Sequence, residues 1–109
     1  MIHLIVTAND ELYERLDHQA RADGNTPRRA KDVLDGYRQA KALGPDSTVI
    51  VDMALSTADT LVEALHSRHA TAHIPLLAVQ CDERPLPLAV RRLCAEVLQA
   101  DTLSPKEPS

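Results

Sequence analysis

The chain has 109 residues, of which 44% are hydrophobic and 2% are aromatic, and its formal net charge is −4. This length supports one core, so we expect a single domain over residues 1–109, with residues 103–109 as a short C-terminal tail. The acidic balance and the lack of aromatic stacking platforms argue against nucleic-acid binding through this domain. No apolar run has membrane length, no secretion signal is visible and the two cysteines lack a paired spacing, so we expect a cytoplasmic protein without membrane contact.

Strand patterns and helix patterns alternate along the chain. In chain order they predict a strand at 2–6, a helix from Asn9 or Asp10 to Gly24, a strand at 26–31, a helix at 33–41, a strand at 48–51, a helix after Ser56 or Thr57, a strand at 74–79, a helix at 86–94 and a strand at 97–98. Pro27 restricts the second strand to a sheet edge. The helix at 86–94 has the strongest amphipathic pattern of the chain. This alternation predicts a doubly wound α/β domain with a parallel sheet.

One carboxylate, Asp52, directly follows the buried strand at 48–51 and precedes a helix. In open parallel sheets, sites form beyond the carboxyl ends of the strands, so this position indicates a functional role. The alternative is a structural role, in which Asp52 caps the next helix or accepts hydrogen bonds from turn amides. We favour the structural role over a working phosphoacceptor.

The order of five strands and four helices resembles the receiver domain of two-component response regulators over nearly the whole chain. Four segments carry the resemblance: Leu4-Ile5-Val6, Val49-Ile50-Val51-Asp52, His73-Ile74-Pro75-Leu76-Leu77-Ala78-Val79, and Ser104-Pro105-Lys106-Glu107. The resemblance implies a flavodoxin-like, five-stranded parallel sheet of order 2-1-3-4-5, with a final helix that is truncated or absent. It also places Asp52 at the position that accepts a phosphoryl group in receivers.

The positions that hold the metal in receivers carry different chemistry here. The acidic pair that binds Mg²⁺ after the first strand matches Thr7 and Ala8, and Asn9 and Asp10 lie one turn further. A divalent cation held through one carboxylate would be bound weakly, because such sites depend on several oxygen ligands. We therefore predict neither a metal site nor a cofactor.

The ends of the fourth and fifth strands also depart from the family. Gln80 replaces the receiver hydroxyl residue, Ala100 replaces the lysine, and Leu98 replaces the aromatic switch residue. Phosphoryl transfer to a carboxylate needs cationic groups to neutralise the developing charge. The sequence thus predicts a pseudo-receiver that acts through protein–protein interaction, with phosphorylation of Asp52 lost or weak. A phosphorylatable receiver that uses Asp52 is the first alternative.

A second alternative is a STAS-like anti-sigma-factor antagonist. Its phosphorylation site would be Ser56 or Thr57 at the start of a helix, and its sheet would be mixed rather than parallel. An enzyme is not expected, because the sequence contains no paired acid, base or nucleophile arrangement.

Two polar clusters are expected to be solvated rather than ligand-binding. His66, His69 and His73 would share a face of one helix as a zinc site, but His73 precedes Ile74-Pro75 and therefore belongs to a loop. The second cluster is basic and consists of Arg28, Arg29 and Lys31.

The apolar stripe of the helix at 86–94 and the last strand suggest an interaction surface. The receiver's last helix barely begins in this chain, so the flank beside these elements should expose apolar area that needs a cover. The predicted interaction face consists of Leu86, Val90, Leu93 and Leu98. We expect a homodimer or a protein partner to cover it.

Overall fold

The aliphatic segments of the chain form the strands of one sheet. The computed structural model describes residues 1–44, 46–68, 71–80 and 86–100. The strands are β1 (Ile2–Val6), β2 (Thr26–Ala30), β3 (Ser47–Asp52), β4 (Leu76–Gln80) and β5 (Glu96–Gln99). The helices are α1 (Asp10–Ala22), α2 (Val33–Lys41), α3 (Ala58–Ser67) and α4 (Leu88–Arg91).

The sheet has the order β2-β1-β3-β4-β5, and every neighbouring pair is parallel. This confirms the predicted doubly wound, flavodoxin-like fold. The polar strand β2 lies at a sheet edge, as Pro27 requires. The STAS-like alternative is wrong, because it requires a mixed sheet.

Helices cover both faces of the sheet with separate clusters of aliphatic side chains. On one face, Leu12 and Leu16 of α1 pack against Ile5, Ile50 and Val79. On the other face, the largest fully buried side chains come from β1, β3 and α3: Leu4, Val6, Val49, Val51, Leu61, Val62 and Leu65. Successive residues of β1 and β3 thus point to opposite faces, which is why the runs at 4–6 and 49–51 are apolar without interruption.

Helix α2 lies unusually close to the sheet at Gly36. A Cβ atom at this position would be 2.9 Å from both terminal carbons of Val6. The missing side chain therefore permits close packing of α2 on β1.

Helix α4 is shorter than the sequence pattern predicts. The expected helix at 86–94 is reduced to one turn, Leu88–Arg91. Pro87 takes an extended conformation before the turn, and the amide of Ala95 already donates to the carbonyl of Leu76 at the entry to β5. The apolar spacing survives without the helix, because Leu93 and Cys94 still pack against the core.

Two predictions lie outside the described residues, namely the truncated final helix at Ser104-Pro105-Lys106-Glu107 and the tail at 103–109. Among the described residues, none of the helices has both the length and the hydropathy that a membrane span requires.

Candidate functional site

The parallel register of β1 and β3 brings Thr7 and Asp52 together at the carboxyl edge of the sheet. Val6 is paired with Val51, so Thr7 and Asp52, the next residue of each strand, are neighbours. Both side chains are buried, Thr7 with 0% and Asp52 with 4% exposure. The hydroxyl Oγ1 of Thr7 donates to Oδ2 of Asp52 over 2.7 Å.

The other oxygen of Asp52 is held by its own loop. Its Oδ1 accepts a hydrogen bond from the amide of Ala54 at 2.9 Å, which is an Asx-type turn. This contact supports the structural role that the sequence favoured for Asp52. A buried carboxylate is costly unless it is hydrogen-bonded, and both oxygens of Asp52 have such partners.

The direction of the Thr7 hydroxyl is set by a second contact. Oγ1 of Thr7 also accepts from the amide of Asn9 at 3.0 Å. A hydroxyl has one proton to donate, so the Thr7 proton points to Asp52 while a lone pair faces Asn9. Asn9 itself caps α1, because its Oδ1 accepts from the amide of Leu12 at 3.1 Å.

The carboxylate of Asp10 is engaged by a neighbouring cation. Arg29 on β2 places Nη2 at 2.7 Å from Oδ1 of Asp10, and its guanidinium lies over the ring of Tyr13. Arg29 also donates to the carbonyl of Thr7 at 3.4 Å. The prediction that Arg29 is solvated is therefore wrong, since only 20% of its side chain is exposed. Arg28 and Lys31 are exposed, as expected.

The donor set around Asp52 does not fit Mg²⁺. The two positions where an acidic pair would stand carry Thr7, whose hydroxyl contacts Asp52, and Ala8, which has no ligand atom in its side chain. Within the described part of the chain, no group of three His, Cys, Asp or Glu residues could hold a metal ion. Among the described side chains, these positions offer a divalent cation the carboxylate of Asp52 without the acidic pair beside it.

At the ends of β4 and β5, two glutamines contact each other and an arginine reaches across from α1. Nε2 of Gln99 donates to Oε1 of Gln80 at 3.2 Å. Nη1 of Arg15 donates to the carbonyl of Ala100 at 3.2 Å, where both residues line an open cavity of about 170 Å³ with Asn9. The sequence analysis missed Arg15, although its position three residues after Leu12 places it beside the packed stripe of α1.

The fold of this chain matches solved structures of response-regulator receiver domains. A CheY-like receiver domain from Methylobacillus flagellatus matches with a TM-score of 0.79 and 19% identity, over 91% of this chain and 85% of that one. A putative response regulator from Chloroflexus aurantiacus matches with a TM-score of 0.74 and 22% identity, over 90% and 83% of the two chains. This chain has the receiver fold.

A third receiver-fold match is the response regulator TrrA from Thermotoga maritima, solved in complex with Mg²⁺ and BeF. Its TM-score is 0.78 at 11% identity, and the match covers 90% of this chain and 84% of TrrA. No protein-family model matches the sequence, and no curated protein matches it either. At these identities the similarity establishes the fold only, and the chemistry of the site must be inferred from the residues of this chain.

The loop that follows Asp52 in this receiver fold contains a strained residue. Thr57 precedes α3, as the sequence predicted for Ser56 or Thr57, but it has a φ of 62° and its side chain makes no capping hydrogen bond. Its hydroxyl instead donates to the carbonyl of Ser56. A β-branched residue in the left-handed region is a true outlier, because its side chain crowds the backbone.

The histidine cluster does not assemble in the part of the fold that is described. His66 is exposed at the end of α3, and His73 is exposed in a turn before β4. That turn lies at the amino end of β4, opposite the edge with Asp52. His69 lies outside the described residues.

The four residues of the predicted interaction face are separated in the structure. Val90 is 3% exposed and belongs to the core, which corrects the expectation that it faces outward. Leu93 is half-buried against the same cluster, whereas Leu98 packs on the α1 side of the sheet. Leu86 is half-buried, and its neighbour Leu88 is 62% exposed.

Proposed function

We propose that this chain is a pseudo-receiver: a signalling module with the receiver fold that acts through protein–protein interaction, with phosphorylation at Asp52 lost or weak. The carrying observation is the contact between Thr7 and Asp52. A hydroxyl stands where a receiver would use an acidic side chain for Mg²⁺, and it donates to the carboxylate that would have to attack phosphorus. Attack requires a cation that offsets charge between the carboxylate and the phosphoryl donor.

Phosphodonor labelling tests this function. The chain is incubated with acetyl phosphate and Mg²⁺, beside a conventional receiver domain as the positive control, and the intact masses are measured. We expect the conventional receiver to gain one phosphoryl group and this chain to gain none. A stoichiometric phosphoryl adduct that Asp52→Asn removes would contradict the proposal and support the alternative, a phosphorylatable receiver.

Binding of the partner is assigned to the flank formed by Leu86, α4 and β5, which we call the α4–β5 flank. Two features support it. Leu88 is an exposed large apolar side chain, and β5 is the last strand of the sheet, with β4 as its neighbour among the described strands. Edge strands with an apolar neighbour are favourable sites for a second polypeptide.

A further inference from the structure

We propose that the Thr7 hydroxyl is a positioning group that replaces a bound cation at Asp52 and keeps this edge of the sheet in one arrangement without metal. The inference deepens the proposed function and rests on it in one respect, that Asp52 is not used as a phosphoacceptor. Thr7 is the residue that decides whether divalent cations bind and stabilise the carboxyl edge of the sheet.

Hydrogen bonds of its backbone hold Thr7 in a fixed position. Its amide donates to the carbonyl of Ala30 at 2.9 Å, and its carbonyl accepts from Arg29. The backbone of residue 7 is therefore held from the β2 side, while its hydroxyl faces β3. Complete burial of Thr7 leaves its hydroxyl few alternative orientations.

The second step is the direction of the proton. Because the amide of Asn9 occupies an acceptor lone pair of Oγ1, the proton is directed to Oδ2 of Asp52. A hydrogen bond from a hydroxyl to a buried carboxylate is charge-assisted, so the hydroxyl satisfies an oxygen that a cation would otherwise contact. The carboxylate of Asp10 forms an ion pair with Arg29 and not with Thr7 or Asp52.

The third step is the consequence of exchanging the hydroxyl. Oγ1 of Thr7 lies 2.7 Å from Asp52, so an aspartate at position 7 would bring a second carboxylate against the first. Two carboxylates in one buried site repel each other unless a proton or a divalent cation lies between them. Thr7→Asp should therefore convert a metal-independent edge into a cation-dependent one.

The test measures Tm in EDTA and in about 10 mM MnCl₂, with NaCl at equal ionic strength as the salt control. A bound cation raises Tm in a saturable way. For Thr7→Asp we expect a Tm below that of the parent chain in EDTA, and a recovery of about 5 °C with Mn²⁺. For the parent chain and for Thr7→Ser, which keeps the hydroxyl, we expect no response to Mn²⁺ beyond that to NaCl.

The matched control is Thr7→Asn, which has the size of aspartate but no charge. It should lose stability like Thr7→Asp and show no recovery with Mn²⁺. Adding Asp52→Asn to Thr7→Asp should remove the recovery, because the site then holds one carboxylate. Mn²⁺ titration of the parent chain followed by electron paramagnetic resonance gives a direct reading that needs no variant.

Saturable Mn²⁺ binding by the parent chain would overturn the inference, and so would a Thr7→Asp chain that has the parent Tm in EDTA and ignores Mn²⁺. If Thr7→Asp does not fold, Thr7→Val decides the matter, because valine keeps the shape of threonine and lacks the hydroxyl: a Thr7→Val chain as stable as the parent means that the hydroxyl does not hold Asp52. These readouts are separate from phosphodonor labelling. An adduct on Asp52 refutes the proposed function, whereas cation binding by the parent chain refutes the role of Thr7.

Discussion

At position 7, a buried hydroxyl group donates to the carboxylate of Asp52 at the edge of the sheet. The sequence shows that residues 7 and 52 each follow a strand, and the strand order of the fold makes them neighbours. Their hydrogen bond could be anticipated once that order was known, whereas the engagement of Asp10 by Arg29 could not. That ion pair joins β2 to α1 across 19 residues of sequence, and no local pattern indicates which cation would reach which acid.

Thr57 provides a prediction about backbone strain. Its left-handed backbone crowds a β-branched side chain, so Thr57→Gly should raise the free energy of unfolding by about 1 kcal/mol. The control is Thr60→Gly, three residues further in α3, where the same exchange should lower it by about 0.5–1 kcal/mol. Urea denaturation measures both. A loss of stability at both positions would show that the φ of Thr57 is not a source of strain.

His3 provides a prediction about pH. Burial lowers the pKa of His3 below its ordinary value of 6.5, the nearby N-terminus also lowers it, and Asp23 opposes the shift. Because the unfolded chain then binds a proton at higher pH than the folded chain, the contribution of His3 is full above pH 6.5. It is lost as the pH falls through the folded pKa.

The measurement for His3 compares unfolding of the parent chain and His3→Gln at about pH 7.5 and pH 5. The parent chain should lose more stability than His3→Gln between the two values. A parent chain that gains stability relative to His3→Gln on acidification would show that Asp23 dominates over burial.

At the scale of elements, the strands were easier to predict than the helix ends. The runs at 2–6 and 48–51 are rich in aliphatic residues, and the structure extends the second by one residue on each side. The prediction of a helix at 86–94 was wrong in its length, for a physical reason. Helical spacing of apolar residues indicates only which residues face the core. Here one helical turn at Leu88–Arg91, followed by the segment that enters β5, places the same apolar residues against the core.

Close packing of α2 on β1 provides a prediction at this scale. Gly36→Ala introduces a Cβ that would lie 2.9 Å from the side chain of Val6, so α2 must move away from the sheet. We expect the free energy of unfolding to fall by about 1–3 kcal/mol, as in other overpacked cores. Denaturant unfolding followed by circular dichroism measures the change.

The control for Gly36 is Gly44→Ala. Gly44 is exposed, and a Cβ there would have no atom within 4 Å. Its stability should stay within about 0.5 kcal/mol of the parent chain. If both alanine variants lose the same free energy of unfolding, the loss does not come from the contact with Val6.

At the scale of the whole molecule, the fold and the site depend on different residues. The two aliphatic clusters lie on the faces of the sheet, whereas the polar pairs lie along its carboxyl edge. Core residues can therefore keep the receiver fold while the edge changes chemistry. For this reason the alternation of strands and helices sufficed to predict the topology. The side-chain contacts at the carboxyl edge could not be predicted in the same way, because they join residues that are far apart in the sequence.

The exposed residues of the α4–β5 flank decide how its association should be tested. Val90 is unsuitable for a charge substitution, because it is buried and Val90→Glu would disrupt the core. Leu88 is suitable, since 62% of it is exposed. Leu34 on α2 is its matched control, because this leucine is 65% exposed on another helix.

We expect a second copy of the chain to cover the α4–β5 flank, because a twofold arrangement would pair two β5 strands, each at the end of the sheet formed by the described strands, and bury both copies of Leu88. Burial of apolar area contributes about 25 cal/mol per Å² before the entropy of association is subtracted. Light scattering at rising concentration should therefore show a dimer that Leu88→Glu weakens and Leu34→Glu leaves unchanged. Equal loss in both variants would assign the effect to general charge repulsion. A chain that stays monomeric and captures no partner in a pull-down would refute the binding role of this flank.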